Sequence, residues 1–240
     1  MPAVVLWDID GTLVRSNGAR VSVTAFQRAL RHAGNLADEP TYPANAGGKT
    51  DLQVALELLA AASIADERAA EVLSGLGAAY LTELEANRAE LTTDLRVLPG
   101  VPQILTRLQQ LGICQALLTG NLEPIARLKL ACAGLDRYVD FDLGAYGSDN
   151  PDRSCLVPVS RQRLSQHFGH EISPADIVVV GDTPLDIACA RAGGASVVAV
   201  ATGNFSREEL AAHQPDVLLD DLQDTEAVVK AVLGFAAAVH

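Results

Sequence analysis

The sequence predicts an α/β protein: a doubly wound parallel sheet carrying an inserted all-helical domain. Three observations carry that expectation. Four short runs, at residues 4–7, 113–118, 177–180 and 196–200, are apolar and rich in β-branched residues; the first three stop abruptly at a polar residue or a glycine and the fourth ends at Ala201-Thr202-Gly203. Strands buried on both faces of a parallel sheet read as continuous runs of this kind. Each run leads into a helical or turn-like stretch, the alternation expected of a doubly wound sheet. Between the first and second runs, residues 15–93 show no convincing strand and only amphipathic helical patterns.

The elements follow in order. Val4, Val5, Leu6 and Trp7 form the first strand and end at Asp8-Ile9-Asp10-Gly11. Helices are expected over residues 21–33, 51–62 and 66–88. In the second of these, Leu52, Ala55, Leu56 and Leu59 keep the i, i+3, i+4, i+7 stripe of a half-buried helix. Gly34, Pro40, Pro43 and Gly47-Gly48 punctuate the block. Pro99-Gly100 marks the return to the core, where Val101, Ile104, Leu105 and Leu108 form another apolar stripe. The later strands end at Thr119-Gly120-Asn121, at Gly181-Asp182 and at Ala201-Thr202-Gly203, and residues 227–239 form a final apolar helix. The expected partition is a core of residues 1–14 and 94–240 and a helical insertion of residues 15–93.

Composition narrows the partners. The chain has 240 residues, 49% hydrophobic and with a formal net charge of -12, which suits a globular protein and opposes nucleic-acid binding. Any phosphate site therefore needs local positive charge. Cys114, Cys132, Cys155 and Cys189 are widely spaced, with no C-x-x-C pair, and read as reduced thiols. The N-terminus lacks the basic region of a signal peptide, and no apolar stretch is long enough to cross a membrane. A soluble, cytoplasmic protein is expected.

Three strand ends carry reactive groups, at the sheet edge where such folds bind ligands. Asp8 and Asp10 are two apart on an extended segment, so their carboxylates share a side. Crowding them there costs energy unless a cation or proton neutralises one, and Mg²⁺ is the natural hard-ion partner. A solvated acidic turn is the plain alternative. Thr119, Gly120 and Asn121 offer a hydroxyl and backbone N–H groups for phosphoryl oxygens, or simply cap a helix. Asp182 and Asp186 are spaced so that one helical turn brings the second carboxylate back beside the first.

Together DIDGTL, LLTGN and VVVGDTPLDIACARAGGA resemble motifs I, II and IV of the haloacid dehalogenase (HAD) superfamily, in that family's order. The helical block resembles its type-1 cap, and VLPGVPQILTRLQQLG the segment that re-enters the core. The resemblance implies a HAD-like, Rossmannoid core and a phosphatase of the phosphoglycolate-phosphatase-like branch. It implies that Asp8 attacks phosphorus and Asp10 serves as acid and base. It also implies that Mg²⁺ is held by the side chains of Asp8 and Asp182 and the backbone carbonyl of Asp10, with Asp186 acting through a bound water or orienting its neighbours. Thr119 and the Gly120 N–H would bind phosphoryl oxygens, and Asn121 lies beside them.

The family's third motif is a lysine, and here the sequence departs from it. Lys129, the only lysine between motifs II and IV, follows motif II too closely for the match. Arg153 stands at the expected place and can neutralise Asp8 as a planar fork. Arg161 and Arg163 compete for the role, but on a helix they are expected to face solvent.

Gly47-Gly48-Lys49-Thr50 ends like a P-loop, but Pro43 stands where a glycine is needed and no strand precedes it. Lys49 is expected to touch substrate, or Thr50 merely to start a helix. His167 and His170 are read as loop residues, His32, His213 and His240 as surface residues, and Trp7 as core. The acidic run from Asp216 to Asp224 reads as a solvated strand exit.

The expected activity is Mg²⁺-dependent hydrolysis of a small phosphorylated metabolite through an aspartyl phosphate, by a monomer or homodimer. A sugar phosphomutase shares the Asp8 and Asp10 chemistry. A 2-haloacid dehalogenase would lack the second carboxylate that Asp10 supplies. A phospho-acceptor signalling module would be much shorter and would carry its acceptor after the third strand.

Overall fold

The computed structural model describes residues 4–237. The chain opens with β1 (Val4–Trp7) and β2 (Val14–Ser16). Four helices follow: α1 (Val21–Gly34), α2 (Asp51–Ala61), α3 (Asp66–Ala86) and α4 (Arg88–Asp94). Then come β3 (Leu95–Val97), α5 (Val101–Gln110), β4 (Cys114–Thr119), α6 (Glu123–Ala133) and β5 (Ala145–Tyr146). The chain continues through α7 (Leu156–Phe168), β6 (Ile177–Gly181), α8 (Pro184–Gly193) and β7 (Ser196–Val200). It ends with α9 (Arg207–Ala212), β8 (Val217–Leu219) and α10 (Thr225–Ala237).

Six strands build one parallel sheet in the order β5-β4-β1-β6-β7-β8, the expected α/β architecture. Alternate residues along each strand feed two separate cores. Val5, Trp7, Leu117, Val178 and Val180 face one, shared with α5 and with the helical insertion. Leu6, Ala116, Leu118, Val179 and Val197 face the other, packed against α7 and α8. Trp7 lies wholly inside the first core and donates to Gln115 Oε1 at 3.2 Å. Because both faces are covered, the strands show no polar alternation, which is why they were readable as apolar runs.

The shortest strands, β2, β3, β5 and β8, have no counterpart among the apolar runs of the sequence. β2 and β3 pair antiparallel as a two-stranded ribbon that brackets the four helices. Asp94, buried at the end of α4, ties this ribbon to the first helix of the insertion. Its carboxylate accepts from the Ser16 hydroxyl and from the backbone N–H groups of Asn17, Ala19 and Val21. The helix expected over residues 66–88 breaks at Asn87, whose side-chain amide donates to Glu83 O at 2.8 Å and so competes with the helical ladder. His167 lies in the last turn of α7 rather than in a loop. Residues 238–240, which include the end of the expected final helix and His240, lie outside the described residues, as does the start of the N-terminal segment.

Candidate active site

Three neighbouring strands end at one level. Trp7 pairs with Leu117 on one side and Val180 on the other, so Asp8, Thr119 and Asp182 all leave the sheet within two residues of that line. Asp8 N still donates to Val180 O at 2.9 Å, which fixes the nucleophile candidate to the strand. The chain then turns sharply: Gly11, with φ of +94°, donates to Val14 O. That turn puts the Thr12 hydroxyl 3.0 Å from Asp182 Oδ1.

Asp8, Asp182 and Asp186 are all buried, and each offers an oxygen within 4.8 Å of the others. Burial, the fixed charges around it and Arg153 in opposition leave Asp8 pushed up to about 7. Burial, then Asp8 and Asp186, hold the Asp182 carboxyl well above its ordinary range. Carboxyls crowded this way resist full ionisation unless a cation joins them.

The residues fit Mg²⁺. They are hard oxygen donors, and no protein donor reaches Asp8 Oδ2 or Asp182 Oδ2 among the described residues. Gly11 and Gly203 also leave the Asp182 carboxylate room, because a Cβ at either position would overlap it. Asp186 is placed differently. Its Oδ2 accepts from Thr183 N and the Thr183 hydroxyl in a capping box that starts α8, and its Oδ1 meets Arg153. Both Asp186 oxygens therefore already have protein donors.

Arg153 reaches the site from a short turn, Arg153–Cys155, before α7. Its Nη2 donates to Asp8 Oδ1 at 2.9 Å and its Nη1 to Gly48 O at 2.8 Å. Arg161 and Arg163 are elsewhere, paired with Glu171 and Asp149.

Asp10 faces another cation. Desolvation by the protein around this half-exposed side chain would raise its carboxyl, but Lys129 and Asn121 hold it below the ordinary carboxylate range. Lys129 Nζ lies 2.7 Å from Asp10 Oδ2, and Asn121 Nδ2 also lies 2.7 Å from that oxygen. Lys129 follows motif II too closely to match the family's third motif, yet the structure brings it to Asp10. A signal was present: Lys129 follows Ile125 by four and Ala126 by three, on the buried stripe of α6. Asn121, expected at the substrate, spends its side chain on Asp10, Thr119 and Lys129.

The insertion closes over this edge. Thr50 caps α2 and donates to Pro151 O at 2.7 Å. Asp51 N donates to Gly120 O at 2.8 Å, and Asp51 Oδ2 accepts from Leu122 N at 2.9 Å. Lys49 O packs so closely on Gly120 that a Cβ there would overlap it. Beneath lies a cavity of about 470 Å³, whose walls include Arg15, Arg20, Tyr42, Lys49 and Tyr80. Lys49 Nζ is paired with Glu57 at 2.7 Å.

A family model for haloacid dehalogenase-like hydrolases matches residues 2–194. The chain belongs to this family. It is similar to the probable phosphatase IndB of Dickeya dadantii (strain 3937), 27% identical over 243 residues that cover 99% of this chain and 98% of that protein. It is also similar to hexitol phosphatase A of Escherichia coli (strain K12), 30% identical over 221 residues that cover 91% and 90% of the two chains. Among solved structures, a predicted phosphoglycolate phosphatase from Haemophilus somnus 129pt superposes with a TM-score of 0.63 at 23% identity, covering 95% of this chain and 98% of that one. This HAD-like hydrolase is thus an enzyme of the phosphatase type, and no helix among its described residues is long and apolar enough to cross a membrane.

Proposed function

We propose that this HAD-like phosphatase hydrolyses a small organic phosphate monoester through an aspartyl phosphate on Asp8, with Mg²⁺ as cofactor. The observation that carries the reading is Asp8 itself. It is buried at a strand end, its Oδ1 is held by Arg153, and its Oδ2 is free of protein donors beside Asp182.

In the first step the Asp8 carboxylate attacks phosphorus and the ester P–O bond breaks. Lys129 and Asn121 favour the Asp10 carboxylate in the substrate-free protein, so Asp10 must take up a proton as the anionic substrate binds. It gives that proton to the departing alkoxide oxygen, so an alcohol leaves and Asp10 becomes a carboxylate. In the second step Asp10 takes a proton from water as the hydroxyl attacks phosphorus. Inorganic phosphate leaves, Asp8 is a carboxylate again, and Asp10 is reprotonated. Asp8 and Asp182 through their side chains, and Asp10 through its backbone carbonyl, would hold Mg²⁺, which when bound neutralises charge between the anionic nucleophile and the phosphoryl group. Thr119 and Gly120 line the cavity where phosphoryl oxygens would sit. Residues 15–93 act as the cap that excludes water, and the cavity volume suits a small metabolite.

The test is phosphate release from p-nitrophenyl phosphate, with Mg²⁺ and with chelator, for wild type and Asp8→Asn. Turnover that needs Mg²⁺ and vanishes in Asp8→Asn is expected. Full activity in Asp8→Asn would remove the nucleophile assignment. Isomerisation of a sugar phosphate without phosphate release would replace the hydrolase by a mutase.

A further inference from the structure

Lys129 is buried, 4% exposed, on a helix whose other inward residues are apolar. An ammonium taken out of water is costly unless it is paired and hydrogen-bonded. Here it is both. Nζ meets Asp10 Oδ2 and Asn121 Oδ1, each at 2.7 Å. Asn121 Nδ2 donates to the same Asp10 oxygen at 2.7 Å and to Thr119 Oγ1 at 2.9 Å. The three side chains close a ring in which the Asn121 amide has one sensible orientation, oxygen to the ammonium and nitrogen to the carboxylate.

Both donors converge on Asp10 Oδ2. Among the described residues no protein donor meets Oδ1, and the Asp10 side chain is 49% exposed on the cavity wall. A carboxylate without these anchors could rotate and present either oxygen. We infer that Lys129 is a positioning residue: with Asn121 it pins Asp10 by Oδ2, so that Oδ1 is the oxygen that gives the proton to the leaving group and takes it back from water. The inference rests on the proposed role of Asp10 as acid and base, and Arg153 already serves Asp8, so Lys129 is not its counter-ion.

The test compares kcat/KM for p-nitrophenyl phosphate and phenyl phosphate, in wild type and in Lys129→Met. This ratio covers the steps through loss of the leaving group. Phenoxide is the more basic leaving group and needs the proton more. If Asp10 is mispositioned, Lys129→Met loses at least about tenfold more on phenyl phosphate than on p-nitrophenyl phosphate, a part of the usual worth of general-acid catalysis. Equal losses on both substrates, or none on either, would overturn the inference, because a merely structural lysine has no reason to sort leaving groups. Should Lys129→Met not fold, Asn121→Ala removes the other donor to the same oxygen and is expected to show the same selective loss. Asp8→Asn is run alongside. Activity there sinks the nucleophile reading, whereas a dead Asp8→Asn with an unchanged leaving-group ratio in Lys129→Met sinks only the role given to Lys129.

Discussion

Arg153 Nη2 stands 2.9 Å from Asp8 Oδ1 and bonds Asp186 Oδ1 as well, so one guanidinium nitrogen serves two buried carboxylates. Its Nη1 reaches Gly48 O, in the loop before α2, so the same side chain also touches the cap.

Removing that fork should hurt folding and catalysis unequally. Arg153→Met leaves Asp8 and Asp186 without their fixed cation, and breaking a buried pair costs about 3–5 kcal/mol. Arg153→Lys keeps a positive charge but supplies a point, not a planar fork. Urea unfolding without Mg²⁺ should place Arg153→Lys well above Arg153→Met in stability. Its kcat should still fall by about 10² or more, the usual loss when a fixed donor to transition-state charge is removed. Wild-type kcat in Arg153→Lys would show that the fork geometry is irrelevant.

Asp51 gives the protein a pH signature. Burial pushes its carboxyl from an ordinary 3.8 up to about 6; Lys129 and the Leu122 N–H oppose the rise, and the Asp10 charge adds to it. In the window from about 4 to about 6 the unfolded chain has lost this proton and the folded protein keeps it. The folded state binds more protons there, so this group's contribution to stability falls as pH rises, then levels off above about 6. Asp51→Asn keeps an acceptor for Leu122 N and removes the titration. Its stability advantage over wild type should therefore grow between pH 4 and pH 6, to on the order of 1–3 kcal/mol. Denaturant melts at several pH values measure it, and an advantage that is flat or shrinking across that window contradicts it.

How legible the sequence was depended on how local each signal is. β1, β4, β6 and β7 announced themselves because burial on both faces leaves apolar runs of four to six residues. β5 has two residues and β2, β3 and β8 have three each, too few for any periodicity to register. Asp8, Asp10 and Asp182 stood out because they follow such runs, and Asp186 because it lies four residues beyond Asp182. Arg153 was reachable only through its position between motifs, since nothing in its own neighbours says that it points at Asp8. Lys129 and Asp94 were hidden for a different reason. Their roles exist only once residues 119–121 curl back over α6 and residues 16–21 wrap around the ribbon, contacts that span from 8 to 119 positions along the chain.

Gly11 and Gly203 should act as keepers of the Asp182 carboxylate. Gly11 holds a φ of +94° that other residues rarely adopt, and a Cβ at either glycine would displace Asp182. Gly203→Ala is the cleaner variant, because no positive φ is involved. If the carboxylates hold Mg²⁺, saturating ion stabilises wild type by about 2.7 kcal/mol at 100 times Kd. That Mg²⁺-induced rise in Tm should shrink or vanish in Gly203→Ala and in Asp182→Asn, while the ion-free variants still melt cooperatively. A full Mg²⁺ shift in both would place the ion elsewhere.

Lys49 is the last residue whose role depends on a pairing. It lines the cavity, yet its ammonium is held 2.7 Å from Glu57, a side chain 41% exposed on α2. An ion pair with one partner so open contributes about 0–1 kcal/mol, so it can be exchanged for a substrate anion at little cost. Glu57→Gln weakens the competitor and should lower KM for an anionic phosphate ester while leaving Tm nearly unchanged. Lys49→Met removes the cation and should raise KM by roughly tenfold, the equivalent of one hydrogen bond to a charged group. In both variants kcat should move far less than KM, because an interaction made equally with substrate and transition state changes only binding. The two effects should also shrink together as salt is added, since the pair sits near solvent. Steady-state kinetics at low and high ionic strength distinguish the outcomes: if Glu57→Gln and Lys49→Met shift KM in the same direction, Lys49 holds α2 in place and does not meet substrate.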